Sequence, residues 1–206
     1  MTKSKNRSWI QRHVKDPYVK QSQVDGFRSR ASYKLLEIVE KDRLIRSGMT
    51  VVDLGSSPGG WSQVASGLVG ASGGVVALDI LPMDPVSGVE FIQGDFTEDA
   101  TWGRLQQLIK NSSVDLVISD MAPNISGSQE IDQPAMIHLA EMSLDLALKF
   151  LDAKGVFISK LFHGQGFDRF VLEVRKLFNK VSIVKPHASR PKSKEVYIVA
   201  SGPKAN

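Results

Sequence analysis

"VSIVKPHASRPKSKEVYIVAS", residues 181–201, contains two apolar, β-branched runs, "VSIVK" and "EVYIVAS", joined by "PHASRPKSK" (186–194). Each run has the composition of a strand. The link between them is too short for the crossover that a parallel pair requires, so the second strand must turn back antiparallel to the first. The direction of this last strand separates two otherwise similar folds.

Upstream lie five more strand-like runs: "TVVDL" (50–54), "GVVALDI" (74–80), "VEFIQ" (89–93), "VDLVISD" (114–120) and "GVFISKLF" (155–162). Helical patterns fall between them, including "GGWSQVASGLV", "TWGRLQQLIK", "PAMIHLAEMSLDLALKFL" and "GFDRFVLEVRKLF", and "SRASYKLLEIVEKDRLI" precedes the first strand. The alternation calls for an α/β fold with a mostly parallel sheet and helices on both faces. Six parallel strands and a reversed last one are the Rossmann-like architecture of S-adenosylmethionine-dependent methyltransferases. A dinucleotide fold would be parallel throughout.

The chain has 206 residues and no cysteine. Its length suits one domain, expected over residues 31–206 and preceded by a basic arm at 1–30. Disulfides, thiolate metal sites and cysteine nucleophiles are excluded, and no metal is expected. No apolar stretch suits export or membrane spanning, so a cytoplasmic protein is expected, and it is expected to act as a monomer.

Charge is distributed unevenly. Residues 1–46 hold 12 Lys/Arg against 5 Asp/Glu, residues 47–184 hold 9 against 16, and residues 185–206 hold 5 against 1. Two basic ends around an acidic middle suit a polyanion surface beside a separate ligand pocket, and nucleic acid is the natural polyanion. The N-terminal cations are Lys3, Lys5, Arg7, Arg12, Lys15, Lys20, Arg28 and Arg30; Arg190, Lys192 and Lys194 lie before the last strand. Arg28, Arg30, Arg190, Lys192 and Lys194 are expected to wall a groove for RNA backbone.

"VVDLGSSPGGWSQ" (51–63) joins a strand to a helix through a glycine loop. Its G-x-x-x-G-G spacing, with Pro58 inside, departs from the G-x-G-x-x-G that seats a pyrophosphate, which disfavours a nicotinamide-dependent oxidoreductase. S-adenosylmethionine carries no phosphate. Asp79, ending the second strand, can accept from two ribose hydroxyls, and Asp95, just past the third, from an adenine amino group. Either acid alone is equally well a loop or cap carboxylate. Trp61 either lines this pocket or belongs to the core.

Ligands of open α/β sheets bind at the carboxyl ends of the parallel strands. Asp120 and Lys160 end two such strands, and Glu195 begins the reversed one at the same edge. Lys34 borders the apolar arc of its helix, where snorkelling to solvent is the usual fate of a lysine.

The blocks "DLGSSPGGWSQV", "LDILPMDP", "FIQGDF", "SDMAPNISG", "SKLFHGQGFD", "SRPKSKEVYIVA" and "FRSRASYKLLEI" closely resemble the FtsJ family of ribosomal RNA large-subunit methyltransferases. The resemblance runs from about Trp9 to the last strand; Ser56-Ser57 is the one departure in the cofactor loop. It implies methylation of a uridine ribose 2′-oxygen in the large ribosomal subunit, with S-adenosylmethionine as cofactor. It also implies a catalytic tetrad of Lys34, Asp120, Lys160 and Glu195, and cofactor contacts at Gly59, Trp61, Asp79, Asp95 and Asp120. Related enzymes act on transfer RNA, and a non-enzymatic ribosome assembly factor would use the same fold and basic ends. Such chemistry needs the hydroxyl aligned with the methyl group and relieved of its proton. A lysine does this as a base where part of it is neutral, or as a cation that stabilises developing alkoxide charge.

Overall fold

The computed structural model describes residues 16–109 and 113–204. The expected arm cations Lys3, Lys5, Arg7, Arg12 and Lys15 lie outside the described residues. The elements in chain order are α1 (Pro17–Val24), α2 (Ala31–Glu40), β1 (Thr50–Leu54), α3 (Gly60–Val69), β2 (Gly74–Asp79), β3 (Val89–Gln93) and α4 (Asp99–Ile109). They continue as β4 (Val114–Ser119), α5 (Gln129–Phe150), β5 (Leu151–Phe162), α6 (Phe167–Leu177), β6 (Phe178–Val184) and β7 (Glu195–Pro203).

The seven strands form one sheet in the order β3-β2-β1-β4-β5-β7-β6. Strands β1 to β5 pair in parallel, while β7 inserts between β5 and β6 and runs antiparallel to both. The short link at 186–194 therefore reverses the chain as its length requires. Because β1 pairs with β2 on one side and β4 on the other, the strand order reverses there, and the carboxyl ends of β1 and β4 open the crevice where such sheets bind ligands.

Both sheet faces are covered, which is why the strands read as continuous apolar runs rather than as alternating ones. Alternate residues still go to opposite sides. Val52, Val117, Phe157 and Ile198 pack with Leu105 of α4, Leu144 of α5 and Phe170 of α6. Val51, Ile118, Ile158 and Tyr197 pack with Leu35 and Val39 of α2 and Val64 of α3. Among the described residues no helix is long and apolar enough to cross a membrane.

Three elements start three to five residues ahead of the sequence pattern. Helix α5 starts at Gln129, ahead of Pro134, because Asp132 accepts from Ser126 N, Ser126 Oγ and Gly127 N and ties the preceding loop to the first turn. That turn is polar, so apolar periodicity misses it. Strand β5 starts at Leu151, paired with Val114 across a register shift, in "LDAK", which lacks a strand pattern. Strand β6 starts at Phe178, whose ring is buried directly after α6.

Candidate active site

Lys160 on β5 and Asp120 just past β4 are brought together by the parallel pairing of their strands, with Nζ 3.1 Å from Oδ1. The same ammonium donates to the Asp120 backbone carbonyl. In the antiparallel register Lys160 faces Tyr197 and Phe162 faces Glu195. Tyr197 donates its hydroxyl to Asp120 Oδ1 at 2.7 Å. Glu195 meets Lys34 of α2, and Ser189 Oγ donates to Glu195 Oε1 at 2.9 Å. The four expected ionisable residues thus form two pairs at the carboxyl edge, Lys160–Asp120 and Lys34–Glu195, with Tyr197 between them: its hydroxyl bonds Asp120, and Lys34 Nζ lies 5.8 Å from its ring centroid.

Local packing fixes these positions. Leu35, Ile38 and Val39 seat α2 on the sheet, which points Lys34 toward Glu195 instead of solvent. Glu37, on the same helix, accepts from His187 N and Ala188 N and holds the β6–β7 turn against it. Trp61 donates its indole N–H to Ala31 O at 2.8 Å, and its ring centroid lies 5.6 Å from that of Tyr197. It is 3% exposed and ties α2, α3 and β7 together.

Charge balance at the edge is close. Burial pushes the Asp120 carboxyl up, but Lys160, Lys34 and the Tyr197 hydrogen bond outweigh it and hold the group below its ordinary range. Burial, with the Asp120 and Glu195 carboxylates, raises the Tyr197 phenol well above its usual value, so it stays a neutral donor. Under the glycine loop, burial pushes Asp53 up to about 7, opposed by a hydrogen bond from Ser62 and reinforced by Asp120 and Asp79.

The glycine loop follows β1. At Gly55, φ is +71° and a Cβ would come 2.2 Å from Met121 Cγ, so only glycine lets β1 turn beside the β4 loop. Gly59, with φ of +102°, precedes α3. Asp79 accepts from Ser57 N and Leu81 N, both at 2.8 Å, one on each oxygen, and each oxygen keeps further acceptor capacity. Asp95 accepts from Thr97 N and Thr97 Oγ1 on Oδ1, which lowers its carboxyl, and Oδ2 remains available. Ser56 Oγ is buried with no hydrogen-bond partner among the described residues, in the middle of the loop. A small-residue cradle, an unpaired hydroxyl and two carboxylates with spare acceptors fit a polar nucleoside cofactor.

The expected RNA-contacting residues divide into two groups. Arg28 turns inward and donates to Pro58 O (3.2 Å), Asp84 O (2.6 Å) and Pro85 O (2.5 Å), joining the glycine loop to the β2–β3 loop. Arg30 binds Asp16 and the Ala188 carbonyl. Lys192 and Lys194 are exposed, and Arg190 is 48% exposed, 3.7 Å from Asp16. Arg30, Lys34, Arg190, Ser193 and Glu195 line a basic cleft of about 250 Å³ over the Lys34–Glu195 pair. Tyr197 is the functional candidate that sequence reading missed.

Residues 27–203 match the family model described as FtsJ-like methyltransferase. The chain is 59% identical over 201 residues to a protein of Marinobacter nauticus named Ribosomal RNA large subunit methyltransferase E, covering 98% of this chain and 97% of that one. It is 56% identical to the protein of the same name from Cellvibrio japonicus, covering 98% and 95%. A crystal structure from Plasmodium falciparum, named as a ribosomal RNA methyltransferase, is 25% identical with a TM-score of 0.76, covering 87% of this chain and all of that one.

Proposed function

This chain belongs to the FtsJ-like methyltransferase family, and on that premise we propose that it methylates the ribose 2′-oxygen of one uridine in large-subunit ribosomal RNA. The substrate is the assembled large ribosomal subunit, S-adenosylmethionine is the methyl donor, and the setting is the cytoplasm, with the protein acting as a monomer. The names of the full-length relatives support the RNA class. The observation that carries the reaction is the pair of contacts Lys160–Asp120–Tyr197 and Glu195–Lys34 at the carboxyl edge of the sheet, next to its switch point.

When bound, S-adenosylmethionine supplies a methyl group already activated on a sulfonium. Asp79 would hold its ribose hydroxyls and Asp95 its adenine amino group. Gly59 and the unpaired Ser56 hydroxyl would border its methionine end, with Trp61 supporting the loop from beneath. Lys160 serves the attacking oxygen. Two of the three donors of its ammonium are occupied by Asp120, which leaves the third for a ribose hydroxyl. Asp120, fixed in turn by Tyr197, sets the direction of that donor. Lys34, paired to Glu195, adds positive charge at the same edge and balances the two carboxylates. Arg190, Lys192 and Lys194 position RNA phosphates, while Arg28 and Arg30 fix the loops around the site.

The test is methyl transfer from labelled cofactor to unmodified large subunits, with the product nucleoside identified by mass spectrometry. Lys160→Ala should keep cofactor affinity and reduce turnover by about a hundredfold or more. Partial recovery in Lys160→Arg would assign charge stabilisation, because guanidinium stays protonated, whereas no recovery would assign the base role. Near-normal turnover in Lys160→Ala would remove Lys160 from the chemistry. RNA binding without any transfer by the unaltered protein would favour an assembly factor instead, and label in transfer RNA would shift the substrate.

A further inference from the structure

A second cleft opens at the same sheet edge, beside the tetrad. It encloses about 410 Å³, and its walls come from Ile125 after β4, Phe162 and His163 at the end of β5, Ser193 and Lys194 before β7, and Gln133 of α5. That volume is in the range of small-ligand sites. Ser193 lines both this cleft and the basic cleft over Lys34 and Glu195, so the two adjoin. His163 N donates to Lys194 O at 3.0 Å, which closes the wall next to Glu195. Phe162 lies two residues beyond Lys160, about 7 Å along the strand. That step is comparable to the reach from a ribose 2′-oxygen to the body of its own base.

Gln133 is the discriminating group. It is 9% exposed, and its carboxamide lies against Gly164, where a Cβ would approach to 2.7 Å. Nε2 donates to the Phe162 carbonyl at 2.7 Å. A carbonyl only accepts, so this bond determines which end of the carboxamide is nitrogen. The second N–H and Oε1 have no partner among the described residues and border the cleft. A nine-tenths buried polar side chain with an open donor and acceptor in a fixed order is built for a ligand of complementary order.

We propose that this cleft receives the base of the nucleotide whose ribose lies at Lys160, and that Gln133 reads that base as uracil. The proposal rests on the reading of the substrate as a uridine ribose. Uracil presents its O4 acceptor beside its N3–H donor, which complements the free N–H and Oε1. Cytosine presents a donor amino group beside an N3 acceptor, the reverse order. To pair with cytosine the carboxamide would have to turn over, which would place Oε1 against the Phe162 carbonyl. His163, whose ring centroid is 4.3 Å from that of Phe167, offers an exposed aromatic face to stack on the base. Ile125, 59% exposed, forms an apolar rim.

Methyl transfer is measured on large subunits from cells lacking the enzyme, and on the same subunits carrying cytidine in place of the target uridine. The unaltered protein should favour uridine about tenfold or more in kcat/KM, since a site built to hydrogen-bond one pattern rejects its opposite. Gln133→Leu should bring the two substrates to within about twofold of each other, with cofactor binding by calorimetry unchanged. A preserved preference in Gln133→Leu, or no preference in the unaltered protein, overturns the base assignment. Absence of ribose methylation on the uridine subunits by the unaltered protein overturns the enzymatic reading instead. Should Gln133→Leu fail to fold, surface His163→Ala carries the test: loss of stacking should raise KM for the uridine subunits by about tenfold with kcat held. An unchanged KM then overturns the proposal.

Discussion

Lys34 Nζ lies 2.8 Å from one carboxylate oxygen of Glu195 and 2.9 Å from the other, across 161 positions of sequence. Each side chain is only 12% exposed. Removing one member of such a pair strands a buried charge, at about 3 to 5 kcal/mol, whereas removing both leaves no unpaired charge. Lys34→Met and Glu195→Gln should each lower the denaturant midpoint substantially, and the double variant should lose clearly less than the sum of the two. Additive losses would mean that the pair is not coupled in solution.

The raised Asp53 carboxyl predicts a pH dependence of stability. Its folded value is about 7, against about 4 in an unfolded chain. Between those limits the unfolded state has released a proton that the folded state keeps. Stability from this group is therefore fully present below about pH 4 and declines until about pH 7. Asp120 works in the opposite sense: its carboxyl is held low, so its contribution is present above about pH 4 and lost on acidification. Asp53→Asn, which keeps an acceptor for Ser62, should abolish the decline between about pH 4 and 7 in urea unfolding. The same decline in the variant would place the titrating group elsewhere.

Arg28 should report on the cofactor rather than on RNA. Its guanidinium holds Pro58 O in the glycine loop to Asp84 O and Pro85 O in the loop that folds over it. Hydrogen bonds from a charged donor contribute about 1.5 to 3 kcal/mol. Arg28→Ala should weaken S-adenosylmethionine binding within that range in calorimetry while RNA affinity stays level. Weaker RNA binding with unchanged cofactor affinity would instead return Arg28 to the RNA groove.

The sequence carries the sheet because burial on both faces writes each strand as an unbroken apolar run, and because the length of a link constrains strand direction. Asp120 and Glu195 are legible for a related reason: each is a charge where an apolar strand ends or begins, and Lys160 stands out as a charge inside an apolar strand, two residues before β5 ends. Lys34 is harder to read, since a lysine beside a helix's apolar arc looks the same whether it faces solvent or a carboxylate on another element. Tyr197 is invisible, because in "EVYIVA" a phenol aimed at Asp120 has the same pattern as one buried in the core. The partners of Arg28 are backbone carbonyls, and those of Arg30 include one. Carbonyls have no side-chain signature, so a charge count gives no sign of these contacts.

Lys192 and Lys194 remain the clearest test of how RNA reaches the tetrad. Both are exposed in the turn before Glu195, and neither Nζ has a hydrogen-bond or ion-pair partner among the described residues. If they meet RNA phosphates, each lost contact should flatten the dependence of log affinity on log salt by about 0.7 to 0.9. The Lys192→Ala, Lys194→Ala double variant should therefore bind large-subunit RNA more weakly at low salt, approach the unaltered protein at high salt, and bind cofactor equally well. Arg28→Ala, whose donors turn inward, should run parallel to the unaltered protein across the same series. If these lysines only keep the turn soluble, the double variant will match the unaltered protein in both height and slope. Coincident lines would therefore move the RNA path off Lys192 and Lys194 and leave Arg190, in the same turn, and the basic cleft beside Lys34 to hold the substrate.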